Sequence, residues 1–117
     1  FIVPVAEAVS ADSESLGIVI GGSGQGEAIV ANKFPGIRAI VFNGQYKPED
    51  GRMVPAEIVT SKQHNDANIL SLGARFLSLD EAKRAVKCWI ETPFSGDKRH
   101  IRRIDKIKKI EEKLCQK

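Results

Sequence analysis

A glycine-rich turn that carries one carboxylate is the part of this sequence best suited to chemistry. The turn reads Gly-Gly-Ser-Gly-Gln-Gly-Glu over residues 21–27 and follows the apolar run Ile-Val-Ile at 18–20. Such a run predicts a buried strand, and residues 27–33 have the composition of a helix. A strand that leads through glycines into a helix gathers free backbone N–H groups around one point. That point suits a phosphate, a carboxylate or an oxyanion formed during a reaction.

Two common phosphate-binding loops do not fit this turn. A nucleotide P-loop needs Lys and then Ser or Thr after its last glycine, whereas Glu27 and Ala28 stand there, and a carboxylate would repel a triphosphate. The dinucleotide motif G-x-G-x-x-G fails because the spacing is Gly22, Gly24, Gly26. What remains suits proton removal beside a carbonyl, with the carboxylate as base and the amides holding the enolate oxygen. The plainer alternative is a tight strand-to-helix turn with Glu27 at the positive helix end.

Two further groups of polar residues could bind or act on a substrate. His64 and Asn65 precede another apolar run, and histidine is the side chain best able to exchange a proton near neutral pH. Arg99 and Arg103 are four residues apart in a helical pattern, so they project from one face and could bind a phosphate together. A surface histidine and a solvated charge run are the plainer alternatives.

Composition restricts the class of protein. The chain has 117 residues, 42% hydrophobic and 28% charged, which is typical of a soluble globular protein, and we expect one domain over 1–117. No apolar run is long enough to span a bilayer. The net charge of +3 is concentrated in the C-terminal segment, so we expect neither a nucleic-acid partner nor a membrane partner. Cys88 and Cys115 are far apart and lack metal-ligand spacing, which fits a reducing compartment and no metal site.

The elements that must position these residues follow from the apolar pattern. It predicts helices over 1–10, 27–33, 56–63 and 98–117, and strands over 18–20, 37–42 and 69–72. Ser-Leu-Asp-Glu at 78–81 is a capping box that starts another helix. We expect one face of that helix to be apolar, and the last helix to carry isoleucines on one side; the residues are Leu79, Ala82, Val86, Trp89, Ile90, and then Ile101, Ile104, Ile107, Ile110.

The order of these elements predicts a parallel three-layer α/β fold. We expect the first two strands to form a parallel pair with a right-handed crossover, and residues 43–55 to form an exposed loop. Three strands make a narrow parallel sheet. We therefore infer that strands N-terminal to this chain are missing or that a partner completes the sheet, and the first residue, Phe1 rather than Met, points the same way.

Four motifs in this order resemble a known family. They are residues 17–33, Gly-Ile-Arg-Ala at 36–39, His-Asn-Asp-Ala-Asn-Ile-Leu-Ser-Leu-Gly-Ala-Arg at 64–75, and Arg-His-Ile-Arg-Arg-Ile at 99–104. Together they closely resemble type B ribose-5-phosphate isomerase, of the sugar-phosphate isomerase family that includes the galactose-6-phosphate isomerase subunits. The resemblance runs from residue 17 to about residue 104. It implies a Rossmann-like fold in a cytoplasmic homodimer or homotetramer with active sites shared between subunits.

The same resemblance implies an activity. Members interconvert ribose 5-phosphate and ribulose 5-phosphate, in the pentose phosphate pathway, without metal or organic cofactor. Many carry a catalytic cysteine where this sequence has Gly21, but another branch has the form Gly-Gly-Ser-Gly-x-Gly-Glu and uses the glutamate as base. Glu27 matches that glutamate, so the resemblance assigns this chain to the second branch.

The roles implied by the resemblance cover eleven residues. Glu27 would move a proton between C2 and C1, and His64 would help to open the furanose ring. The anion hole would be formed by Gly22, Ser23, Gly24, Gln25 and Gly26, with Ser23 adding a hydroxyl donor. Asn65 would bind sugar hydroxyls, Arg99 and Arg103 would bind the phosphate, and Arg75 is a further candidate for that role.

Two departures from the family pattern leave alternatives open. The family begins with a strand carrying an Asp-His pair that contacts substrate, and nothing in residues 1–15 matches it. The loop at 43–55 is also longer than expected. The alternatives are an isomerase of a six-carbon sugar phosphate such as allose or galactose 6-phosphate, a non-catalytic sugar-phosphate-binding subunit complemented by another chain, and a basic nucleic-acid-binding module.

Overall fold

The computed structural model describes residues 1–115 and contains the predicted elements in the predicted order. They are α1 (Ile2–Ala11), β1 (Gly17–Gly21), α2 (Gln25–Ala31), β2 (Ala39–Phe42), α3 (Glu57–Gln63), β3 (Ile69–Gly73), α4 (Leu79–Glu91) and α5 (Lys98–Leu114). The last helix was predicted to continue to Lys117, and residues 116–117 lie outside the described part. No helix among the described residues is long and apolar enough to cross a membrane.

The three strands form one parallel sheet in the order β1-β3-β2. The register pairs Gly17 with Ile69 and Gly21 with Gly73 on one side, and Ala39 with Ile69 on the other. The predicted pairing of β1 with β2 is therefore wrong, because β3 lies between them. All five residues of β3 are buried, as expected of a central strand covered on both faces.

Helices cover both faces of the sheet, which confirms the three-layer α/β prediction. Successive residues of β3 point to opposite faces. Ile69 belongs to an apolar cluster with residues of α1 and α2, whereas Leu70 and Leu72 belong to a second cluster with residues of α3 and α4. On β1 the second face is bare, since Ile18 and Ile20 are 36% and 57% exposed.

The capping box of α4 is present as predicted. Ser78 Oγ accepts a hydrogen bond from Glu81 N at 3.1 Å, and Glu81 Oε1 accepts one from Ser78 N at 3.0 Å. The predicted apolar face is only partly correct, because Leu79 and Ile90 are 70% and 52% exposed. Helical geometry places the buried stripe along residues 82, 85, 86 and 89, and Leu79 and Ile90 fall outside it.

The apolar side of α5 is largely uncovered. Asp97 caps the helix by accepting a hydrogen bond from Arg99 N at 3.0 Å. Farther along, Glu111 Oε1 accepts a hydrogen bond from Gly36 N at 2.6 Å and ties the helix to the loop before β2. Ile107 and Ile110 are nonetheless 53% and 60% exposed, so this chain alone does not bury the isoleucine side.

Candidate active site

The glycine turn packs tightly against the carboxyl end of the sheet. Gly24 precedes α2 with φ of +74°, in the left-handed region that favours glycine. A Cβ at Gly24 would lie 2.9 Å from Ser71 Oγ and 3.1 Å from the carbonyl carbon of Leu72. Ser71, fully buried in β3, donates a hydrogen bond to Gly24 O at 2.6 Å. The turn is thus held against β3 by a contact that only glycine allows.

The carboxylate of Glu27 lies over the end of β1. Glu27 is in the first turn of α2, and its side chain folds back over Gly21. A Cβ built on Gly21 would be 2.6 Å from Glu27 Oε2 and would collide with Oε1. The half-buried carboxylate therefore occupies the volume that a side chain at position 21 would need, and it faces the glycine turn.

Several backbone N–H groups of the glycine turn have no partner within the described residues. Ser23 Oγ accepts a hydrogen bond from Gln25 N at 3.3 Å, which orients the start of α2. Within residues 1–115, the amides of Ser23, Gly24 and Gly26 donate no hydrogen bond to another protein group. Unused N–H groups at a helix start are available to an anion, as the predicted donor cradle requires.

Asn43 supports the turn from the neighbouring strand, although it is not among the site residues predicted from the sequence. It follows β2 directly, and its Nδ2 donates a hydrogen bond to Ser23 O at 3.0 Å. Gly73 makes room for this contact, since a Cβ there would collide with Asn43 Oδ1 and lie 2.9 Å from Ser23 O. The available signal was the position of Asn43 at the carboxyl end of a strand, where α/β proteins commonly hold ligands.

Arg75 belongs to the same edge of the sheet as Glu27. Its backbone N–H donates to Gly22 O at 3.0 Å, and its guanidinium carbon lies 3.2 Å from the place that a Cβ on Gly22 would occupy. None of the ion pairs found in residues 1–115 involves Arg75, and its side chain is exposed. The structure thus places a cation beside the turn. The sequence predicts Arg75 only as a further candidate for phosphate binding, after Arg99 and Arg103 of α5.

The remaining predicted residues form a second cluster, where the end of α3 meets the start of α5. His64 is the C-cap of α3, and its ring stacks on that of His100 with a centroid separation of 4.3 Å and an angle of 31°. Arg99 and Arg103 are exposed on α5 on either side of His100, and Asn65 is exposed after His64. Arg99 Nε lies 3.8 Å from Asp97 Oδ2.

His100 is the buried member of the stacked pair. It is 4% exposed, and its Nδ1 lies 2.9 Å from Ser95 Oγ. Burial, reinforced by the charges of His64, Arg99 and Arg103, lowers the pKa of His100 below its ordinary value of 6.5, and Asp97 opposes this only partly. His100 is therefore neutral near pH 7.

The two clusters lie at opposite ends of the strands. Glu27, Ser23 and Arg75 follow the carboxyl ends of β1 and β3, whereas the second cluster precedes the amino end of β3, where Gly17 N donates to Asn68 O at 2.8 Å. A five-residue strand separates them by about 13 Å. One chain does not bring Glu27 and His64 together. Among the described residues, no group of three or more His, Cys, Asp or Glu side chains could hold a metal ion.

The long loop is fastened to α3 on the same edge as Glu27. Glu57 N donates to Gln45 Oε1 at 2.7 Å, and Glu57 Oε2 accepts from Tyr46 N at 2.6 Å. A cleft between the first residues of this loop and α4 is lined by Gln45, Lys47, Arg84 and Cys88 among others. The predicted exposed loop at 43–55 is confirmed. Its hydrogen bonds to Glu57 restrict the conformations of its first residues.

Comparison with known proteins identifies the class. A model of the family described as Ribose/Galactose Isomerase matches residues 1–107, and the chain belongs to this family. The match begins at residue 1, so α1, which the resemblance had left out, lies within the family region.

Two of the similar curated proteins carry the same name. Ribose-5-phosphate isomerase B of Escherichia coli (strain K12) is 38% identical over 109 residues, covering 93% of this chain and 66% of that protein. Ribose-5-phosphate isomerase B of Mycobacterium tuberculosis (strain ATCC 25618 / H37Rv) is 38% identical over 112 residues, covering 95% of this chain and 62% of that protein. The chain spans about two thirds of the length of the curated relatives it matches.

Solved structures of the same kind superpose closely. Ribose-5-phosphate isomerase B of Clostridium thermocellum matches with a TM-score of 0.83 and 44% identity, covering 97% of this chain and 70% of that one. The enzyme of Mycoplasma genitalium with bound ribulose-5-phosphate matches with a TM-score of 0.80 and 34% identity, covering 96% and 67%. The predicted Rossmann-like α/β fold and family resemblance are confirmed.

Proposed function

We propose that this chain is an aldose–ketose isomerase that interconverts ribose 5-phosphate and ribulose 5-phosphate through an enediolate. The observation that carries the proposal is the Glu27 carboxylate, which lies over Gly21 at a turn whose Ser23, Gly24 and Gly26 amides donate no hydrogen bond within residues 1–115. Membership of the ribose/galactose isomerase family supports the same reaction. The names of the relatives favour a five-carbon over a six-carbon sugar phosphate.

The proton transfer would occur at the glycine turn. Glu27 removes the proton from C2 of the open-chain aldose, and the electron pair becomes the C1–C2 double bond of an enediolate. The negative charge on oxygen is held by the N–H groups of residues 22–26 and by the Ser23 hydroxyl. Glu27 then returns the proton to C1, while a proton moves from O2 to O1, which gives the ketose. Because Glu27 gives back what it took, the step needs no external acid or oxidant.

Ring opening and phosphate binding would fall to the second cluster. His64 exchanges the proton that passes between the C1 hydroxyl and the ring oxygen, and Asn65 binds sugar hydroxyls. Arg99 and Arg103 would hold the phosphate from one helix face. Arg75 would add a third cation from the side of the turn. A phosphate bound by arginines of both clusters would hold the substrate in one position between them.

The active site would be shared between copies of the chain. Glu27 and His64 lie at opposite ends of the strands, so we propose a homodimer or homotetramer in which one copy supplies the glycine turn and another supplies His64, Asn65 and the arginines of α5. The exposed Ile107 and Ile110 offer apolar surface for such association. The proposal includes a cytoplasmic location in the pentose phosphate pathway and no nucleic-acid partner.

Replacing Glu27 with Gln tests the proposal. The amide keeps the size of the side chain but cannot accept the C2 proton, so we expect kcat to fall by about a thousandfold with little change in KM. Formation of ribulose 5-phosphate is the measurement, and Glu14→Gln, an exposed acid in the α1–β1 connection, is the matched control. A Glu27→Gln protein with full activity would defeat the assignment, and turnover of allose 6-phosphate by the unmutated chain would point to the six-carbon alternative.

A further inference from the structure

Ser95 joins three parts of the second cluster. It lies in the connection between α4 and α5, and its Oγ is 2.9 Å from His100 Nδ1. The same oxygen accepts a hydrogen bond from Asp97 N at 3.2 Å, and Ser95 N donates to Gln63 O at 3.3 Å. This serine therefore links the end of α3, the start of α5 and the buried imidazole.

The hydrogen bonds of Ser95 select one tautomer of His100. A serine hydroxyl has one hydrogen to donate and two lone pairs. Since Asp97 N–H already occupies one lone pair, a hydroxyl that donates to Nδ1 uses its hydrogen as well, whereas a protonated Nδ1 would leave the hydroxyl hydrogen without this acceptor. Nδ1 is then the acceptor, and the proton of neutral His100 is on Nε2.

The ring of His64 depends on His100 for its orientation. His64 is an exposed C-cap residue, and within the described part of the chain no hydrogen bond to its ring is found. Its defined contact is the stack on His100 at 4.3 Å. A side chain that must reach a sugar ring within hydrogen-bond distance needs its χ angles restricted before the substrate arrives.

We propose that Ser95 is a positioning residue for the ring-opening step, because its hydroxyl fixes the tautomer and ring plane of His100, and His100 in turn fixes the plane of His64. The inference deepens the proposed function and rests on it. Ser95 itself does not touch the sugar.

The charges around the two imidazoles agree with a positioning role for His100. His100 faces His64 from α3 and faces Arg99, Arg103 and Asp97 from its own helix. Two adjacent imidazoles do not both carry a charge without repulsion, and the buried ring is the less favourable place for it. His100 is therefore the neutral, packed member of the pair, and His64 is the exposed one.

Nitrogen NMR of the two histidines tests the proposal directly. The histidines of the chain are His64 and His100, so these two rings give all the imidazole nitrogen signals, and a His64→Gln sample assigns them. In the unmutated protein near neutral pH, we expect His100 Nδ1 to resonate as an unprotonated nitrogen and Nε2 as a protonated one. Ser95→Ala should give a mixture of tautomers, and Ser95→Thr, which keeps the hydroxyl, should restore the single form.

Removal of a serine hydroxyl elsewhere in the chain distinguishes an effect on the imidazole pair from a general loss of stability. Ser78→Ala removes the hydroxyl that caps α4 at the other end of the fold, so it weakens the structure without touching the imidazole pair. We expect the tautomer of His100 to be unchanged in Ser78→Ala. A protonated Nδ1 in the unmutated protein, or a Ser95→Ala spectrum identical to it, would overturn the proposal.

Kinetics add a second readout. Ser95→Ala should lower kcat for ribose 5-phosphate by about tenfold, with recovery in Ser95→Thr. In deuterated water, the ratio of hydrogen exchange at C1 of ribulose 5-phosphate to net turnover should rise, because proton transfer at Glu27 continues while ring closure slows. Unchanged kcat in Ser95→Ala would overturn the positioning role. An inactive unmutated chain with the expected tautomers would instead count against the proposed isomerase function.

Discussion

Glu27 and a side chain at position 21 compete for one volume. The carboxylate lies where a Cβ on Gly21 would be, so a base on α2 and a base at the end of β1 cannot both occupy the site. This exclusion gives a physical reason for the two branches implied by the family resemblance, one with a cysteine at this position and one with a glycine and a glutamate. The glycine is needed here for the space it leaves, since its φ is outside the left-handed region.

Gly21→Ala should therefore damage activity more than stability. The added methyl group meets the far end of the flexible Glu27 side chain, which can swing away at little cost, so we expect the free energy of unfolding to change by less than about 0.5 kcal/mol. The displaced carboxylate no longer faces the backbone donors, and isomerisation should fall by about a hundredfold. Thermal unfolding and initial rates measure the two effects.

Gly73→Ala provides the contrast at the same edge of the sheet. Its new methyl group would meet Asn43 and, at 2.9 Å, the backbone oxygen of Ser23, which cannot swing away, so this variant should lose about 1–3 kcal/mol of stability. If Gly21→Ala kept normal activity, the carboxylate would not act from its position over Gly21.

At the scale of elements, the sequence predicts what depends on local pattern. Strand β1, the glycine turn and the Ser78 capping box each follow from neighbouring residues, and each is present. The insertion of β3 between β1 and β2 depends on which strand is buried on both faces, which the sequence pattern alone does not fix. For the same reason, the contact of Asn43 with Ser23 and the distance between the two clusters became visible only in the assembled sheet.

The junction of α3 and α5 should make stability depend on pH. Because the pKa of His100 lies below its ordinary value of 6.5, the folded state binds this proton less readily than the unfolded chain. The resulting contribution to stability is fully present above pH 6.5 and is lost as the pH falls from there through the lower, folded-state pKa. We expect the midpoint of thermal unfolding to fall over this window, and scans at several pH values measure it.

A His100→Gln variant isolates this contribution. Glutamine does not titrate, so the fall in the unfolding midpoint below pH 6.5 should be smaller in the variant than in the unmutated chain. Equal pH dependence in the two proteins would mean that His100 carries its proton as easily in the folded state as in the unfolded one.

At the scale of the whole molecule, the chain presents two separate clusters of candidate site residues and apolar surface to solvent. The turn with Glu27 and the cluster with His64 are about 13 Å apart along the strands, whereas a general base must lie within hydrogen-bond reach of the proton it takes. Ile20 of β1 and Ile110 of α5 are 57% and 60% exposed. In the proposed shared site, association of copies would join clusters from different chains and would cover such surface in the same step.

Complementation between inactive variants tests the shared site. In a dimer, Glu27→Gln and His64→Gln should each inactivate both sites, because every site takes one residue from each copy. When the two variants are mixed and exchanged, half of the dimers are mixed and one of their two sites is intact, so about a quarter of the unmutated activity should return.

The double variant Glu27→Gln/His64→Gln, exchanged with the unmutated chain, gives the matched control. Each site of a mixed dimer then carries one defect, so only the unmutated dimers work and activity should be about a quarter of that of the unmutated protein. If each site belonged to a single chain, the two single variants would recover nothing and this control would keep about half of the activity. A shared site therefore predicts equal activity in the two mixtures. A site within one chain predicts activity only in the control mixture, whatever the absolute rate of the enzyme.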